Sequence, residues 1–293
     1  MATFTTYDQV GKKEDVSDII SDITPLDSPM FSLMKTEKVN ARVFEWQEDA
    51  LRAANADNAI VEGADATIGT LTATTMRSNT TQILEESFQV SATSDAIATY
   101  GRAKETAYQL GRALKSIKRD LEAAFVGRDQ ASVSGSGSVA RKMASVINQI
   151  TTDENNATPA ALTEAMVLSA GETAYDNGSD VNTLMIKPGD AQIVAGFAGS
   201  AGRNREIAQG KTLVNAIDLY VSPYGEYRVV LNRHLASDTA LLIDPAMFKT
   251  CVLRPFARTL LAKNGDSDRH SIVGEYSCKH MNFGDSVKIT GLT

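Results

Sequence analysis

The longest regular pattern of hydrophobic positions in the chain predicts an amphipathic helix from about Ile97 to Val126. Large apolar residues recur within it at spacings of four, three, four and four, so they share one helical face. These residues are Leu110, Leu114, Ile117, Leu121 and Phe125. At about 1.5 Å per residue, a helix of this span is roughly 40 Å long. Gly127 and the serine- and glycine-rich run Ser132–Ser138 predict the end of the helix and a loop after it.

The opposite face of this predicted helix is basic. It carries Arg102, Lys104, Arg112, Lys115, Lys118 and Arg119. We expect this face to pair with acidic segments of the same chain or of a neighbouring chain, because opposite charges on two protein surfaces favour their association.

The first 34 residues contain few large apolar residues and predict an extended arm. Val16, Ile19, Ile20 and Ile23 favour a short amphipathic helix within this arm, and the turn-prone stretch Thr24–Pro29 interrupts it. Such an arm cannot bury enough surface by itself. We therefore expect it to lie on the body of its own chain or on a neighbour.

Two β-favouring stretches follow the arm, at Val43–Gln47 and Gln82–Val90. Between them, Asn55–Thr81 is rich in alanine, threonine, glycine and acidic or amide residues and has no core of its own. The pattern predicts a long β-hairpin. Trp46, the only tryptophan, is expected to be a packing anchor at its base.

The rest of the chain predicts mixed helices and strands. A second helix is expected over Pro159–Tyr175, because Thr158 before Pro159 has the pattern of a helix cap and Asp176–Gly178 has that of a helix end. A third is expected over Ala191–Phe197. Strands are expected at Thr183–Ile186, Leu213–Val221, Arg228–Asn232, Leu241–Ile243, Ser271–Cys278 and Val287–Ile289.

Composition and charge narrow the class of protein. The 293 residues carry a formal net charge of −7, and the first 99 residues hold 7 basic against 16 acidic residues. This balance argues against a protein whose main task is to grip nucleic-acid phosphates. Two cysteines are too few for a disulfide framework. We expect no secretory signal, because Met1–Lys13 has no apolar core. We expect no membrane helix, because no apolar run approaches about 20 residues.

Few residues form a pattern typical of an enzyme. Gly135–Ala140 matches a relaxed dinucleotide motif, but it follows a helix rather than a strand, so a plain loop is the simpler interpretation.

Cys251, His270, Cys278 and His280 could in principle bind zinc, although their spacing matches no zinc motif. His234 stands alone, and the acidic groups Glu48–Asp49, Glu85–Glu86 and Asp266–Asp268 are typical of a solvated face or of ion pairs between chains. We expect no catalytic residue, cofactor or metal.

Several short stretches resemble one known family. Thr24–Phe31 and Phe44–Leu51 are similar to the start of the SU10-type major head proteins, and Leu261–Ser267, Ile272–Tyr276 and Asn282–Gly284 are similar to their end. These are capsid proteins of tailed bacteriophages with the HK97-type fold. The resemblance spans nearly the whole chain.

The resemblance implies an α+β fold of five parts. These would be an N-terminal arm (1–38), an E-loop hairpin (39–95), a P-domain segment with the spine helix and the Gly/Ser loop (96–157), a segment that is mainly A-domain (158–244), and C-terminal P-domain strands (245–293). The arm and hairpin would contact neighbouring copies, and we expect contacts between subunits at Trp46, Glu48, Asp49, Arg112, Lys115 and Arg119.

The resemblance also implies a function. Many copies would assemble as hexamers and pentamers into an icosahedral head that encloses double-stranded DNA without sequence-specific binding. Portal, scaffold and decoration or cement proteins are the implied partners. A separate scaffold protein or some other control of shell size is expected, because the chain starts almost directly at the arm. The protein would reside in the virion, assemble in the bacterial cytoplasm and contact no membrane. The alternatives are an encapsulin-like nanocompartment shell, a soluble nucleotide- or metal-dependent enzyme, and another virion or tail protein.

Overall fold

The computed structural model describes residues 28–66, 68–69, 71, 73–97, 104–200, 219–263 and 265–293, without the side chains of residues 157 and 198–200. The helix expected in the arm and the first residues of the strand expected at Leu213–Val221 lie outside these ranges. The described chain divides into two compact units. One contains Glu85–Ile117 and Arg258–Ile272, and the other contains Asp27–Leu84, Lys118–Ala257 and Val273–Thr293.

The N-terminal elements are one short helix and four strands. They are α1 (Pro29–Leu33), β1 (Lys35–Lys38), β2 (Val43–Glu48), β3 (Thr75–Thr80) and β4 (Gln82–Ser91). The expected hairpin exists, but its second strand is β3 rather than the stretch from Gln82 onward. β2 pairs antiparallel with β3, from Val43 opposite Thr80 to Glu48 opposite Thr75. Thr81 separates β3 from β4, and β4 belongs to another sheet.

The long amphipathic helix is confirmed as α3, which begins at Glu105 and ends at Val126. Ile117, Leu121 and Phe125 are buried, whereas Leu110 is half-buried and Leu114 is 37% exposed, so the predicted apolar face is fully buried only from Ile117 onward. The start expected at Ile97 is wrong, since Ile97 has an extended backbone and follows a separate short helix, α2 (Ala92–Ala96). The Asp95 carboxylate accepts a hydrogen bond of 3.0 Å from the backbone N–H of Thr106 and so satisfies the first turn of α3.

The second expected helix also begins later than the sequence predicts. Thr158 and Pro159 lie in strand β5 (Thr152–Ala160), which pairs with β12 (Val287–Leu292) at an edge of the larger sheet. An edge strand tolerates a proline because one side of its backbone has no partner strand. The helix is α5 (Glu164–Asp176), and it is capped by the Thr163 hydroxyl, which accepts from the N–H of Met166.

The remaining elements complete two larger sheets. They are α4 (Val146–Gln149), β6 (Thr183–Ile186), α6 (Ala191–Ser200), β7 (Leu219–Ser222), β8 (Gly225–Leu231), β9 (Ala240–Ile243), β10 (Phe248–Leu261) and β11 (Ser267–His280). The strand orders are β1-β10-β11-β4 in the four-stranded sheet and β5-β12-β9-β6-β8-β7 in the six-stranded sheet. Short 3-10 turns lie at Pro188–Asp190 and Pro245–Met247.

The main described core lies on the six-stranded sheet. Buried Leu184, Leu242 and Ile289 pack with Val167 of α5. Gly171 of α5 leaves room for the buried Tyr227 ring, because an added Cβ there would lie 2.5 Å from the tyrosine oxygen. This core belongs to the second unit, which also contains the β2–β3 hairpin.

Candidate functional site

The segment between β2 and β3, residues 49–74, carries the most exposed aliphatic side chains of the described chain. We call this segment the tip. Leu51, Ile68 and Leu71 are 99%, 95% and 96% exposed, and Ile60 and Val61 are also largely exposed. The described tip residues form no helix or strand. Full burial of such a side chain is worth roughly 1.5–3 kcal/mol, so the tip is a candidate contact surface.

The tip is acidic as well as apolar. It contains Asp49, Asp57, Glu62 and Asp65 against the single base Arg52. A partner surface for the tip should therefore combine apolar side chains with positive charge.

The base of the hairpin is packed within its own chain. Trp46 is buried, and its ring centroid lies 5.8 Å from that of Phe44 and 6.0 Å from that of Phe283. The Lys279 ammonium lies 5.6 Å from the indole centroid. The structure confirms Trp46 as a packing residue at the hairpin base, while its contact with another subunit stays a prediction.

The two acids after Trp46 have different surroundings. The Glu48 carboxylate receives hydrogen bonds from the Arg77 guanidinium at 2.5 Å and from the backbone N–H of Phe283 at 2.9 Å. Arg77 also lies 4.5 Å from the Phe283 ring centroid. Asp49 is exposed and accepts only a local bond from the N–H of Ala50 among its described contacts. Asp49 is thus available at the surface, whereas Glu48 is engaged within the chain.

A buried polar network fixes the corner at which β3 becomes β4. The Asn79 side chain donates to the Cys278 carbonyl at 2.6 Å and accepts from the N–H of Ala144 at 2.8 Å. The Ser277 hydroxyl donates to the Thr80 carbonyl at 2.9 Å. Because buried polar groups lose free energy when they are unpaired, this corner has one favoured arrangement. That arrangement determines where the hairpin leaves the body.

Glu275 is the charged centre of this network. Its side chain is 3% exposed and accepts from the Thr81 hydroxyl at 2.6 Å, from Arg254 Nε at 3.1 Å and from Arg141 Nη2. Burial raises the pKa of Glu275, but the Thr81 bond and the two arginines outweigh it and hold the pKa below its ordinary value. No local pattern in the sequence predicts this cluster, because Arg141 and Glu275 are 134 residues apart.

Of the basic residues expected on the long helix, Arg102 lies outside the described ranges, and Lys104 precedes α3 and pairs with Asp95. Arg112 and Lys115 are exposed and Arg119 is half-buried. The Arg112 guanidinium lies 5.9 Å from the ring centroid of Tyr108, one turn earlier. This part of the helix therefore presents positive charge.

An apolar groove of about 460 Å³ lies beside the edge strand β1. Its lining comes from α1, β1, β10 and β11, and Lys38 supplies a positive charge. The lining residues are Phe31, Thr36, Lys38, Val252, Leu253, Pro255 and Tyr276. The groove combines apolar surface with a cation, which is the chemistry that complements the tip.

The features that suggested enzyme chemistry have structural roles. The Gly135–Ala140 loop is closed by a bridge between Val133 and Lys142, and the Ser136 hydroxyl accepts from the N–H groups of Ser138 and Val139. Of the acidic groups, Glu85 accepts a hydrogen bond from the Ser271 hydroxyl, and Asp268 forms an ion pair with Lys263. The expected loop conformation of Gly135–Ala140 is confirmed.

Cys251, His270, Cys278 and His280, which could in principle bind zinc, are not brought together as a set of ligands. Within the described ranges, no group of three or more His, Cys, Asp or Glu residues could hold a metal ion. Cys278 contacts the Gln149 amide at 3.0 Å and the Ala144 carbonyl at 3.1 Å. Burial raises the pKa of Cys251 to about 12, so its thiol stays protonated.

His280 is a packing residue rather than a ligand. Its ring stacks on Phe248 at 4.1 Å and on Phe283 at 5.7 Å. Burial lowers the pKa of His280 to about 4, so the ring is neutral near pH 7.

None of the described helices is both long and apolar enough to cross a membrane.

Comparison with known proteins gives concordant results. The family model for the SU10 major capsid protein matches residues 2–293. The major capsid protein of Escherichia phage Phieco32 is 29% identical over 330 residues, which cover 95% of this chain and 94% of that protein.

Solved shell structures share the fold. The capsid of cyanophage A-1(L) superposes with a TM-score of 0.70 at 10% identity, covering 99% of this chain and 98% of that chain. The holo-SrpI encapsulin complex from Synechococcus elongatus PCC 7942 superposes with a TM-score of 0.61 at 9% identity, covering 100% and 96%. These similarities confirm the α+β capsid-type fold that the sequence motifs imply.

Proposed function

Because the chain belongs to the SU10 major capsid protein family, we propose that it builds the icosahedral head of a tailed bacteriophage, as hexamers and pentamers of identical copies. The observation that carries this proposal is the family match along residues 2–293. Family membership implies self-association, a place in the virion and a structural rather than an enzymatic role.

The parts of the shell subunit follow from the same family. We assign 1–38 to the arm, 39–95 to the E-loop, 96–157 and 245–293 to the P-domain, and 158–244 mainly to the A-domain. The β2–β3 hairpin with its tip supports the second assignment, and α3 supports the spine helix of the third.

The proposed contact between copies joins the acidic tip of one subunit to basic surface on the next. The exposed aliphatic residues of the tip supply apolar area, and its four acids complement Arg112, Lys115 and Arg119 of α3. Asp49 lies on the tip itself, while Trp46 and Glu48 hold the hairpin base in place. The groove beside β1, which contains Lys38, offers a second surface of the same chemistry.

Charge reversal on α3 tests this contact. The double substitution Lys115→Glu and Arg119→Glu is expected to raise the concentration needed for assembly severalfold, because each exposed ion pair contributes about 0.2–1 kcal/mol. It should also weaken the dependence of assembly on salt. Light scattering across a salt series measures both effects. The charge-preserving pair Lys115→Arg and Arg119→Lys is the control, and unchanged assembly in the reversed variant would argue against the contact.

Electron microscopy of the purified chain tests the function itself. We expect closed shells, or rings of five and six copies, by negative stain, alone or after addition of a scaffold protein. Size-exclusion chromatography should show matching large species. A chain that stays monomeric under all of these conditions would contradict the proposal.

The further partners and the setting follow from the same assignment. We propose that the shell encloses double-stranded DNA without sequence-specific contacts, which the net charge of −7 supports, because a negative lining does not bind phosphates tightly. Portal, scaffold and decoration or cement proteins are the proposed partners, and assembly is proposed to occur in the bacterial cytoplasm.

A nanocompartment shell is the second candidate, because the SrpI encapsulin shares the fold. The 29% identity to a phage capsid protein and the family match favour the phage head. The two functions differ in contents, so mass spectrometry and nuclease treatment of native particles separate them. An enzyme cargo without a genome would favour the nanocompartment.

A further inference from the structure

Helix α1 lacks a cap of its own. Its N-cap residue Ser28 makes no side-chain hydrogen bond to the helix, and Pro29 at the first helical position has no N–H to donate. The first N–H groups that need an acceptor are those of Met30 and Phe31. A helix of five residues is not stable alone, so α1 depends on contacts from elsewhere.

Glu122 of α3 supplies the missing cap from a distant part of the chain. Its Oε1 accepts from the N–H of Met30 at 2.8 Å, and its Oε2 accepts from the N–H of Phe31 at 2.9 Å. The Asn232 side chain donates to Oε1 at 2.6 Å. One buried carboxylate thus satisfies both orphan donors of α1 and is itself held by Asn232.

Because Glu122 is buried, its contact with α1 depends on every hydrogen bond that the carboxylate receives. The side chain is fully buried, and burial raises its pKa although the bonds from Phe31, Met30 and Asn232 and the nearby His234 oppose that shift. Of the described residues, His234 is the titratable group that acts on it, and the backbone N–H of His234 donates to the Asn232 side chain at 2.9 Å. A buried carboxylate whose donors are neutral groups is sensitive to loss of any of them.

The chain after α1 continues directly into an edge strand. β1 pairs parallel with β10, from Lys35 opposite Lys249 to Lys38 opposite Val252. Glu37 lies between two lysines, with Lys249 at 2.9 Å and Lys279 at 3.5 Å. We call Ser28–Lys38 the docked segment. Its two ends are held by different chemistry: a buried cap at α1 and half-exposed ion pairs at β1.

We propose that Glu122 is the positioning residue of the docked segment, and that its two carboxylate oxygens order α1 and thereby hold β1 on the edge of β10. The proposal concerns the single chain; its bearing on assembly rests on the proposed function, because an edge covered by its own chain cannot pair with a strand of a second copy.

Hydrogen exchange of the unassembled chain tests the proposal. In Glu122→Ala, we expect amide protection over Met30–Lys38 to fall at least tenfold while protection of β6 and β9 stays as in the wild type. Glu122→Gln keeps one acceptor oxygen and should lose less. Glu154→Gln is the matched control. Glu154 is half-buried and also accepts two hydrogen bonds, from the hydroxyls of Thr173 and Ser169, but it does not contact the docked segment in either bond.

A pH series separates positioning from simple core packing. After correction for intrinsic exchange, protection of Met30–Met34 in the wild type should fall as acid protonates Glu122, and this change should be absent in Glu122→Gln. Lys35–Lys38 is left out of this comparison, because acid also protonates Glu37 and removes its ion pairs with Lys249 and Lys279. Unchanged protection in Glu122→Ala, an equal loss in every strand, or the same pH response in Glu122→Gln would each overturn the proposal. Failure of the wild-type chain to form shells would contradict the proposed function and leave these results unaffected.

Discussion

Replacing the five exposed aliphatic residues of the tip by serine is expected to abolish shell assembly while the isolated chain stays folded. The residues are Leu51, Ile60, Val61, Ile68 and Leu71. They bury almost nothing in their own chain, so their loss costs the folded monomer little. In an assembled contact each would contribute up to about 1.5–3 kcal/mol.

The expected size of this effect follows from the same numbers. Only part of the burial energy appears as affinity, because association also costs translational and side-chain entropy. A net loss of about 3 kcal/mol per contact already weakens it roughly 100-fold. Negative-stain microscopy and size-exclusion chromatography measure assembly, and circular dichroism on heating measures the fold.

The tip also offers its own control. Ala53, Ala54, Ala56 and Ala59 are exposed in the same segment, and their replacement by serine adds hydroxyls without removing large aliphatic side chains. This variant should assemble. If the aliphatic variant formed shells at wild-type concentration, the tip would not be a contact between copies.

Glu275→Ala is expected to lower the free energy of unfolding by up to about 3–5 kcal/mol at pH 7, because it removes the buried carboxylate that pairs with Arg141, whose side chain is 23% exposed. The contribution of Arg254 is the smaller one, since its side chain is 59% exposed and water screens it. Glu85→Ala is the control. Glu85 is exposed and accepts one hydrogen bond from Ser271, so its loss should cost less than about 1 kcal/mol.

The pH dependence of the Glu275 effect has a definite sign. The pKa of Glu275 is lowered in the folded chain, so its stabilisation is fully present above the ordinary glutamate pKa of about 4.3. It decreases as the pH falls below that value toward the folded pKa. Urea unfolding at pH 7 and in this acidic range should show the wild type and Glu275→Ala converging. A difference that persists unchanged in acid would show that the carboxylate charge is not responsible.

Local patterns were sufficient for some elements and misleading for others. α3 was predictable because Ile117, Leu121 and Phe125 repeat at helical spacing over several turns. The start of α5 was not, because Thr158–Pro159 has the pattern of a helix cap yet lies in β5, whose partner β12 is about 130 residues away. The polar stretch Thr75–Thr80 lacks the alternation of a half-buried strand, so its pairing with β2 left no sequence signal.

The contact surfaces show the same limit. The tip residues gave no clear sequence signal, because only five large aliphatic side chains are spread over residues 49–74 among small and polar residues. Glu122 acts through partners more than 90 residues away, and Glu275 acts through Arg141 and Thr81, which are 134 and 194 residues away, as well as through the nearer Arg254. Their roles depend on tertiary contacts that no window of the sequence contains.

One motif that carried the family resemblance now has a physical explanation. Within Ile272–Tyr276, Gly274 makes room for the Phe256 ring, since an added Cβ would lie 2.4 Å from its Cδ1 atom. Phe256 stacks on Tyr276 across this glycine, with centroids 4.5 Å apart. The next residue, Glu275, is the centre of the buried network. A single short stretch thus combines close packing with the charge that fixes the hairpin corner.

The cap of α1 by Glu122 also imposes an order of events during synthesis. Met30 leaves the ribosome 92 residues before Glu122 and about 200 residues before Asn232. At about 5–20 residues per second, the interval to Asn232 is roughly 10–40 seconds. A five-residue helix cannot persist unaided for that time. The docked segment is therefore among the last parts of the nascent chain to fold, and it remains accessible to chaperones or to other nascent copies until most of the polypeptide has been made.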